Sequence, residues 1–220
     1  MSEFSSARRN MVDNQLRPTR VTDQFILEAM SVIPRERFVP ENKKAMAYID
    51  EDIEVSPGRF LMEPIVLARL LQELDLSSKN SVLNVGCATG YDAALLGKLV
   101  GSVVAIESDP ALITFASDAI NELAIDNVAV VEAPLDEGYT AESPYDAILI
   151  SGAISEVPPK IANELILDGK LAAVIGNSDV GVLGRAYIFV RGDGILSSRP
   201  LFDAGTQMLP GLEKEETFTF

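Results

Sequence analysis

The residues with the clearest chemical potential are those of one small-residue turn and a single acid that follows it. Residues 81–90 read SVLNVGCATG, so an apolar run ends in a turn that carries Gly86, Ala88 and Gly90. Glu107 ends the next apolar run, 21 residues after Gly86 (107 − 86). Small residues let a ligand approach the backbone of such a turn, and an acid about 20 residues later can accept hydrogen bonds from ribose hydroxyls. The pattern indicates a nucleotide-binding βαβ unit.

The spacing of the small residues distinguishes two classes of nucleotide site. A dinucleotide fingerprint, G-x-G-x-x-G, needs glycine at positions 86, 88 and 91, where this chain has Gly86, Ala88 and Tyr91. An adenosylmethionine-type turn needs small residues at 86, 88 and 90, and Gly90 completes that set. We therefore predict S-adenosyl-L-methionine as the cofactor and rank a dehydrogenase last. A tight strand-to-helix turn that binds no ligand is the simpler alternative.

The composition restricts the classes of function that the chain can perform. Its 220 residues are 47% hydrophobic, which suits one domain with a sizeable core. The chain has no histidine and one cysteine, Cys87, which excludes serine–histidine triads and an internal disulfide, and we expect no metal site. The formal net charge of −15 (18 − 33) argues against general binding of nucleic acid or anionic membranes.

Targeting signals are not evident in the sequence. Arg8 and Arg9 lie near the N-terminus without an apolar stretch behind them, unlike a secretory signal peptide. The longest apolar runs are too short to cross a bilayer. Together with the single cysteine, these features predict a cytoplasmic location and no membrane partner.

The order of the predicted elements indicates an α/β fold with two parts. Residues 1–60 are expected to form a helical extension packed on the core, and residues 61–220 the α/β domain. In the extension, Thr22 is predicted to cap a helix with Phe25, Ile26, Ala29 and Met30 on its buried face. Residues 41–60 show no clear period and are predicted to be a loop.

Alternating helices and strands in the second part predict a mostly parallel sheet with right-handed crossovers and helices on its faces. The expected helices are 64–74, 91–99, one that begins at Asp109-Pro110 with Phe115 on its buried face, and 158–165. The expected strands are 81–85, 102–107, 128–131, 147–150 and 170–175. Residues 185–190 and the chain from Ile195 onward are predicted to form an antiparallel hairpin around the turn 191–194.

Segments throughout the chain resemble the protein-L-isoaspartate O-methyltransferase family. They are 11–16 (MVDNQL), 33–40 (IPRERFVP), 47–50 (AYID), the glycine turn (residues 86–90), 145–148 (YDAI), 151–153 (SGA) with Pro158, and 165–171 (LILDGKL). The resemblance implies a Rossmann-like class I methyltransferase fold. It also implies methylation of isoaspartyl side chains in damaged proteins or peptides, as a first step of repair.

The loop that precedes the α/β domain departs from the family pattern. The family's substrate loop reads Gly-x-Thr-Ile-Ser-Gln-Pro, whereas residues 58–64 read GRFLMEP, so Phe60 and Met62 replace both hydroxyl residues. The resemblance therefore assigns no catalytic residue here. It implies that Arg59, Phe60 and Met62 line the acceptor site, where Arg59 is either a solvated surface residue or a clamp for a carboxylate.

The resemblance also assigns the cofactor contacts. Asn84 stands where the family has an acid before the turn, and Ala133-Pro134-Leu135 aligns with the family's Gly-Asp-Gly beside the adenine. Asn84 either contacts the cofactor or stabilises the strand end, and Cys87 is either a small turn residue or a reactive thiol. The predicted cofactor-binding residues are Asn84, Gly86, Cys87, Ala88, Gly90, Glu107, Pro134 and Leu135.

Two other functions compatible with this fold remain open from sequence. The altered residues cluster at the acceptor loop, which favours a methyltransferase with a changed acceptor. The same losses, with those at Asn84 and Pro134, are also compatible with a non-catalytic binding module. The oligomeric state is not determined by the sequence.

Overall fold

A computed structural model describes residues 3–176 and 183–213 of the chain. The helices are α1 (Glu3–Met11), α2 (Gln24–Val32), α3 (Pro64–Leu74), α4 (Tyr91–Leu99), α5 (Pro110–Glu122) and α6 (Pro159–Ala162). The strands are β1 (Ile53–Ser56), β2 (Arg59–Leu61), β3 (Ser81–Val85), β4 (Ser102–Glu107), β5 (Val128–Glu132), β6 (Tyr145–Ile154), β7 (Leu165–Ile175), β8 (Gly184–Arg191) and β9 (Leu196–Ala204). The predicted extents 1–60 and 61–220 include residues 1–2, 177–182 and 214–220, which lie outside the described residues.

Seven strands form one sheet in the order β5-β4-β3-β6-β7-β8-β9. The pairs from β5 to β7 are parallel, and β7-β8 and β8-β9 are antiparallel. This confirms the predicted α/β class with an antiparallel end. The apolar runs in β3 and β4 arise because parallel strands carry helices on both faces and must bury both sets of side chains.

The sheet reverses its strand order at β3. The chain builds outward from β3 through β4 to β5 and then returns to pair β6 with the other side of β3. In open α/β sheets, ligands bind in the crevice at the carboxyl ends of the strands where this reversal occurs. We call the space between the glycine turn after β3 and residues 151–153 near the end of β6 the cleft.

The N-terminal region is fixed to the sheet domain by a buried arginine. Arg35 is fully buried; its Nε donates to the carbonyl of Ala47 at 2.8 Å and its Nη2 to that of Met62 at 2.7 Å. Its guanidinium carbon lies 4.8 Å from the ring centroid of Tyr91 on α4. Because these partners belong to three separate segments, Arg35 holds the N-terminal region against the helix that follows the glycine turn.

The predicted loop over residues 41–60 was wrong. Residues 41–46 form a 3₁₀ segment, and β1 and β2 form a hairpin in which Gly58 has φ +71°. The strands were missed because they are four and three residues long, too short to show a period. The expected division after residue 60 falls inside β2.

Two details predicted for α2 were also wrong. Asp23, not Thr22, caps the helix, since its carboxylate accepts hydrogen bonds from the N–H groups of Phe25 and Ile26. The Phe25 side chain is 75% exposed because it lies in the first turn, away from the buried face formed by Ile26 and Met30. The backbone N–H of Thr22 instead donates to the side-chain oxygen of Gln72, in the last turn of α3.

Other elements begin or end at residues different from those predicted. The predicted helix 158–165 ends at Ala162, because Leu165 pairs with Tyr145 and begins β7. The predicted strand 147–150 is the centre of a longer β6. Phe115 on α5 remains 39% exposed, although its neighbour Ala116 is buried.

The described residues contain no helix with both the length and the apolar character needed to cross a membrane.

We predict that Arg35→Met lowers the free energy of unfolding by about 2–4 kcal/mol, because two buried carbonyls lose their donors. Arg37→Met is the matched control: Arg37 is on the same 3₁₀ turn, but its side chain is 51% exposed. The control should change stability by no more than about 0.5 kcal/mol. Urea denaturation of the three proteins measures both effects, and equal losses in the two variants would contradict the role given to Arg35.

Candidate active site

The glycine turn has a backbone that only small residues adopt easily. Gly86, Ala88 and Gly90 have φ values of +74°, +47° and +91°. A Cβ on Gly90 would lie 2.9 Å from the Cβ of Ala116 on α5, so glycine is required there. The N–H groups of Gly86 and Cys87 both donate to the carbonyl of Ile106, at 2.9 and 3.2 Å. The turn is thereby fastened to the end of β4, next to Glu107.

Glu107 is fully buried at the carboxyl end of β4. Its Oε2 accepts from the N–H of Ala88 at 2.9 Å and from Nη2 of Arg59 at 2.6 Å. Its Oε1 accepts from the N–H groups of Ser108 at 2.8 Å and Asp109 at 3.2 Å. Three backbone donors, the hydroxyl of Ser108 at 3.4 Å and one guanidinium therefore hold the carboxylate beside the turn. This is the position at which the sequence predicts a ribose contact.

Arg59 lies inside the cleft rather than on the surface. It is 5% exposed, pairs with Glu107, and donates a second, longer hydrogen bond of 3.2 Å to the carbonyl of Gly86. Its buried Nε and Nη1 have no hydrogen-bond partner among the described residues. The solvated alternative for Arg59 is therefore wrong, because β2 directs this side chain toward the glycine turn.

The other two residues predicted for the acceptor site do not share this position. Phe60 is half-buried and pairs with Glu54 across the hairpin. Met62 is 2% exposed, and its backbone carbonyl accepts a hydrogen bond from Arg35. Alternation along β2 explains why Phe60 does not share the face of Arg59, because successive side chains of a strand point to opposite faces. Met62 follows the end of β2 and packs in the core.

Asn84 belongs to a buried polar group under the cleft. Its Nδ2 donates to Oγ of Ser151 at 2.7 Å, while its Oδ1 has no partner among the described residues. Asp92, in the first turn of α4, is also buried; burial raises the pKa of its carboxyl to about 6, although the nearby Ser151 hydroxyl acts to lower it. Sequence reasoning missed Asp92, although an acid in the first turn of a helix is a recognisable signal.

Cys87 is 2% exposed. Burial, followed by the nearby Glu107 and Asp92 carboxylates, raises the pKa of its thiol well above the usual range. A reactive thiol requires a lowered pKa and access to solvent. The structure therefore favours the small-residue explanation for Cys87 in the turn.

The predicted adenine loop follows β5. The N–H of Ala133 donates to the backbone carbonyl of Glu107 at 3.1 Å, and Leu135 is 4% exposed. Pro134 lines a cavity of about 510 Å³ together with Tyr139 and Lys160. No residue of the glycine turn lines this cavity, so it extends away from the cleft.

The stretch that follows β9, residues 205–213, returns to the cleft, and we call it the return segment. Ala153 donates its N–H to the carbonyl of Gln207 and accepts from the N–H of Leu209, each at 2.8 Å. Leu209 is 4% exposed, and its methyl carbons lie 3.0 and 3.1 Å from the place of a Cβ on Gly86. Its Cγ lies 2.7 Å from the place of a Cβ on Gly152. Leu209 therefore fills the cleft between the glycine turn and Gly152 of β6, a role that sequence reasoning did not assign to it.

Acidic residues surround Glu63, near the C-terminal end of residues 58–64, which we call the acceptor loop. The pKa of Glu63 is raised to about 7 by burial and then by the negative charges of Asp50, Asp52 and Glu51. Asp52 accepts hydrogen bonds from the N–H of Glu63 at 2.8 Å and from the hydroxyl of Thr206 at 2.7 Å. The loop and the return segment thus share one carboxylate.

The raised pKa of Glu63 predicts a pH-dependent stability. The folded protein favours the neutral form of this carboxyl. Its contribution to the free energy of unfolding is therefore fully present below the ordinary pKa of 4.5 and is lost as the pH rises through about 7. Glu63→Gln, which stays neutral, should therefore be more stable than the parent protein at pH 8 and nearly equal to it at pH 4. Urea denaturation at both pH values tests this, with Glu28→Gln on the exposed side of α2 as the control. The same gain at both pH values would contradict the assignment.

Comparison with known proteins supports the resemblance seen in the sequence. The profile of the Protein-L-isoaspartate(D-aspartate) O-methyltransferase family matches residues 6–187. A protein-L-isoaspartate O-methyltransferase of Herpetosiphon aurantiacus is 37% identical over 175 residues, 80% of this chain and 78% of that protein. Another, from Koribacter versatilis, is 32% identical over 183 residues, 83% of this chain and 82% of that protein.

Solved structures agree with these sequence matches. A protein-L-isoaspartate O-methyltransferase superposes with a TM-score of 0.82 at 25% identity, over 94% of this chain and 67% of that chain. A Plasmodium falciparum structure, described as such an enzyme in complex with S-adenosyl-L-homocysteine, gives a TM-score of 0.77 over 95% of this chain and 99% of that chain. At 21% identity, the latter supports the fold alone. From the extent of the profile match and the identity to these relatives, the chain belongs to the protein-L-isoaspartate(D-aspartate) O-methyltransferase family.

Proposed function

We propose that this protein is an S-adenosyl-L-methionine-dependent methyltransferase that methylates the side-chain carboxylate of isoaspartyl residues in damaged proteins or peptides. Family membership supports the reaction class. The observation that carries the proposal is the position of the glycine turn and Glu107 at the reversal of strand order, where α/β sheets bind their ligands.

The groups around the cleft suit this cofactor chemically. Glu107 is a buried carboxylate, a group that accepts hydrogen bonds from ribose hydroxyls, and Oδ1 of Asn84 is a buried acceptor without a partner among the described residues. That amide oxygen suits the cofactor's ammonium group. The N-terminal end of α4, directly after Gly90, suits its carboxylate because the helix dipole is positive there. The cofactor-binding roles of Gly86, Cys87, Ala88, Pro134 and Leu135 are part of the same proposal.

The proposed reaction is compatible with a chain that has no histidine. The cofactor supplies an electrophilic methyl group on a sulfonium centre. An acceptor carboxylate is already ionised at neutral pH, so no strong general base is needed. Positioning of the acceptor and exclusion of water then provide most of the rate, and the buried surroundings of Asn84 and Ser151 suit that task.

A methyltransferase with a changed acceptor is the second candidate. Phe60 and Met62 stand at the family's two hydroxyl positions, and the structure buries Met62 in the core. A carboxylate that docks against apolar side chains loses hydration without gaining hydrogen bonds. This observation favours an acceptor that is less polar at the point of contact, on the same fold and with the same cofactor.

The single cysteine and the acidic composition support a proposal for the location of the protein and for its partners. We propose a cytoplasmic enzyme, because the single buried cysteine offers no disulfide. The net charge of −15 leaves an acidic surface that repels nucleic acid and anionic lipid.

Transfer of a labelled methyl group from S-adenosyl-L-methionine tests the function. We expect labelling of an isoaspartyl peptide and none of its normal aspartyl twin. Glu107→Gln should lower that transfer at least about tenfold, because it removes a charged hydrogen-bond acceptor. The control is Glu28→Gln, an exposed acid on α2. Label on other carboxylates but not on the isoaspartyl peptide would favour the changed acceptor, and no transfer to any carboxylate would contradict methyl transfer.

A further inference from the structure

Two side chains from distant parts of the sequence occupy the cleft. We propose that the cleft is closed by its own chain, with Arg59 and Leu209 in the positions that the cofactor contacts, and that the cofactor binds only after both withdraw. This inference rests on the proposed function, because it concerns access to the same site.

Arg59 competes directly for the ribose contact. Its Nη2 lies 2.6 Å from Oε2 of Glu107, at the distance of a strong charged hydrogen bond. The other hydrogen bonds to Glu107 come from the backbone N–H groups of Ala88, Ser108 and Asp109 and, at 3.4 Å, from the hydroxyl of Ser108. These donors belong to the glycine turn and to the entrance of α5, next to Glu107 in space. Among the groups that the described structure places on this carboxylate, Arg59 is the charged one and the one that comes from the hairpin of β1 and β2, so its withdrawal frees Oε2 without moving the turn.

Leu209 competes for the surface of the turn. Its methyl carbons lie 3.0 and 3.1 Å from the Cβ position of Gly86, on the side that a glycine leaves open to a ligand. The same leucine also approaches Gly152, with its Cγ 2.7 Å and its Cδ2 2.9 Å from the Cβ position there. A leucine that touches both glycines spans the cleft. A nucleotide laid over the turn and this leucine cannot occupy the same space.

Asp52 connects the two occupants. Its Oδ1 accepts from the N–H of Glu63, in the loop that begins with Arg59. Its Oδ2 accepts from the hydroxyl of Thr206 at 2.7 Å and from the N–H of Gln207 at 3.0 Å, in the return segment that carries Leu209. Movement of one element therefore disturbs the hydrogen bonds of the other, and the two side chains are expected to withdraw together.

The closed arrangement contains features that favour opening. Nε and Nη1 of Arg59 are buried without partners among the described residues, and such groups gain hydrogen bonds when they reach water. The return segment contacts the end of β6 through three backbone hydrogen bonds, two at Ala153 and one from Ser155 to Leu212. Segments held by few hydrogen bonds open locally without unfolding of the whole domain.

Binding of S-adenosyl-L-homocysteine, measured by calorimetry, tests the closure. The apparent dissociation constant is the intrinsic constant divided by the fraction of molecules in which the cleft is open. If that fraction is about 10% in the parent, Leu209→Ala should bind about tenfold more tightly. Arg59→Gln should also bind more tightly, because it removes the guanidinium from Glu107. Leu71→Ala on α3 is the matched control, a fully buried leucine outside the cleft, and should bind as the parent does.

Hydrogen exchange on the unaltered protein provides a measurement that does not depend on any variant. Saturating S-adenosyl-L-homocysteine should accelerate exchange at the amides of Ala153 and Leu209, which the return segment protects. Exchange in β4, at Val104 for example, should not accelerate.

The outcomes separate this inference from the function on which it rests. Equal affinity of the parent and Leu209→Ala, with unchanged exchange in the return segment, would overturn the closure and leave the methyltransferase intact. Absence of binding in the parent, Leu209→Ala and Arg59→Gln, all with folded circular dichroism spectra, would overturn both. Tighter binding by Leu209→Ala but not by Leu71→Ala, with faster exchange in the parent, is the expected result.

Discussion

The carboxylate of Glu107 is the group on which the organisation of the cleft depends. It accepts hydrogen bonds from the glycine turn, from the entrance to α5 and from the hairpin of β1 and β2. A buried carboxylate must be compensated by charge or by hydrogen bonds, so these elements are obliged to converge on it. Arg59 provides the compensating charge, and its position in the cleft follows from that electrostatic requirement.

The same requirement applies to Arg35, a buried positive charge that must also be compensated. Arg35 is a buried cation whose partners are backbone carbonyls and the face of Tyr91, and it fixes the N-terminal region to α4. Asp50 and Asp52 accept hydrogen bonds from the N–H groups of Ile65 and Glu63, and the pKa values of Asp50, Asp52 and Glu63 are all raised, chiefly by burial. Partly buried carboxyl groups thus hold the end of the acceptor loop, and its conformation is sensitive to their protonation.

The glycine turn is surrounded by segments from distant parts of the sequence. The turn and Glu107 lie where the strand order reverses, whereas Arg59 reaches them from β2 and Leu209 from the return segment. Because both side chains contact the turn, a change in either segment alters the surface of the same cleft.

The sequence by itself determined the sheet domain and the local form of the turn. Strands β3 and β4 and helices α3 and α4 were predicted to the residue, because apolar periods, glycines and Pro64 act over a few neighbouring positions. The hairpin of β1 and β2 was missed because its strands are too short to show a period. The start of β7 at Leu165 was missed because its pairing with Tyr145 in the sheet fixes it. The tertiary structure alone decided that Arg59 meets Glu107, 48 residues away, and that Leu209 contacts Gly86. Such contacts form where the topology brings distant segments together. A pattern over a few neighbouring residues does not show which distant residues will meet.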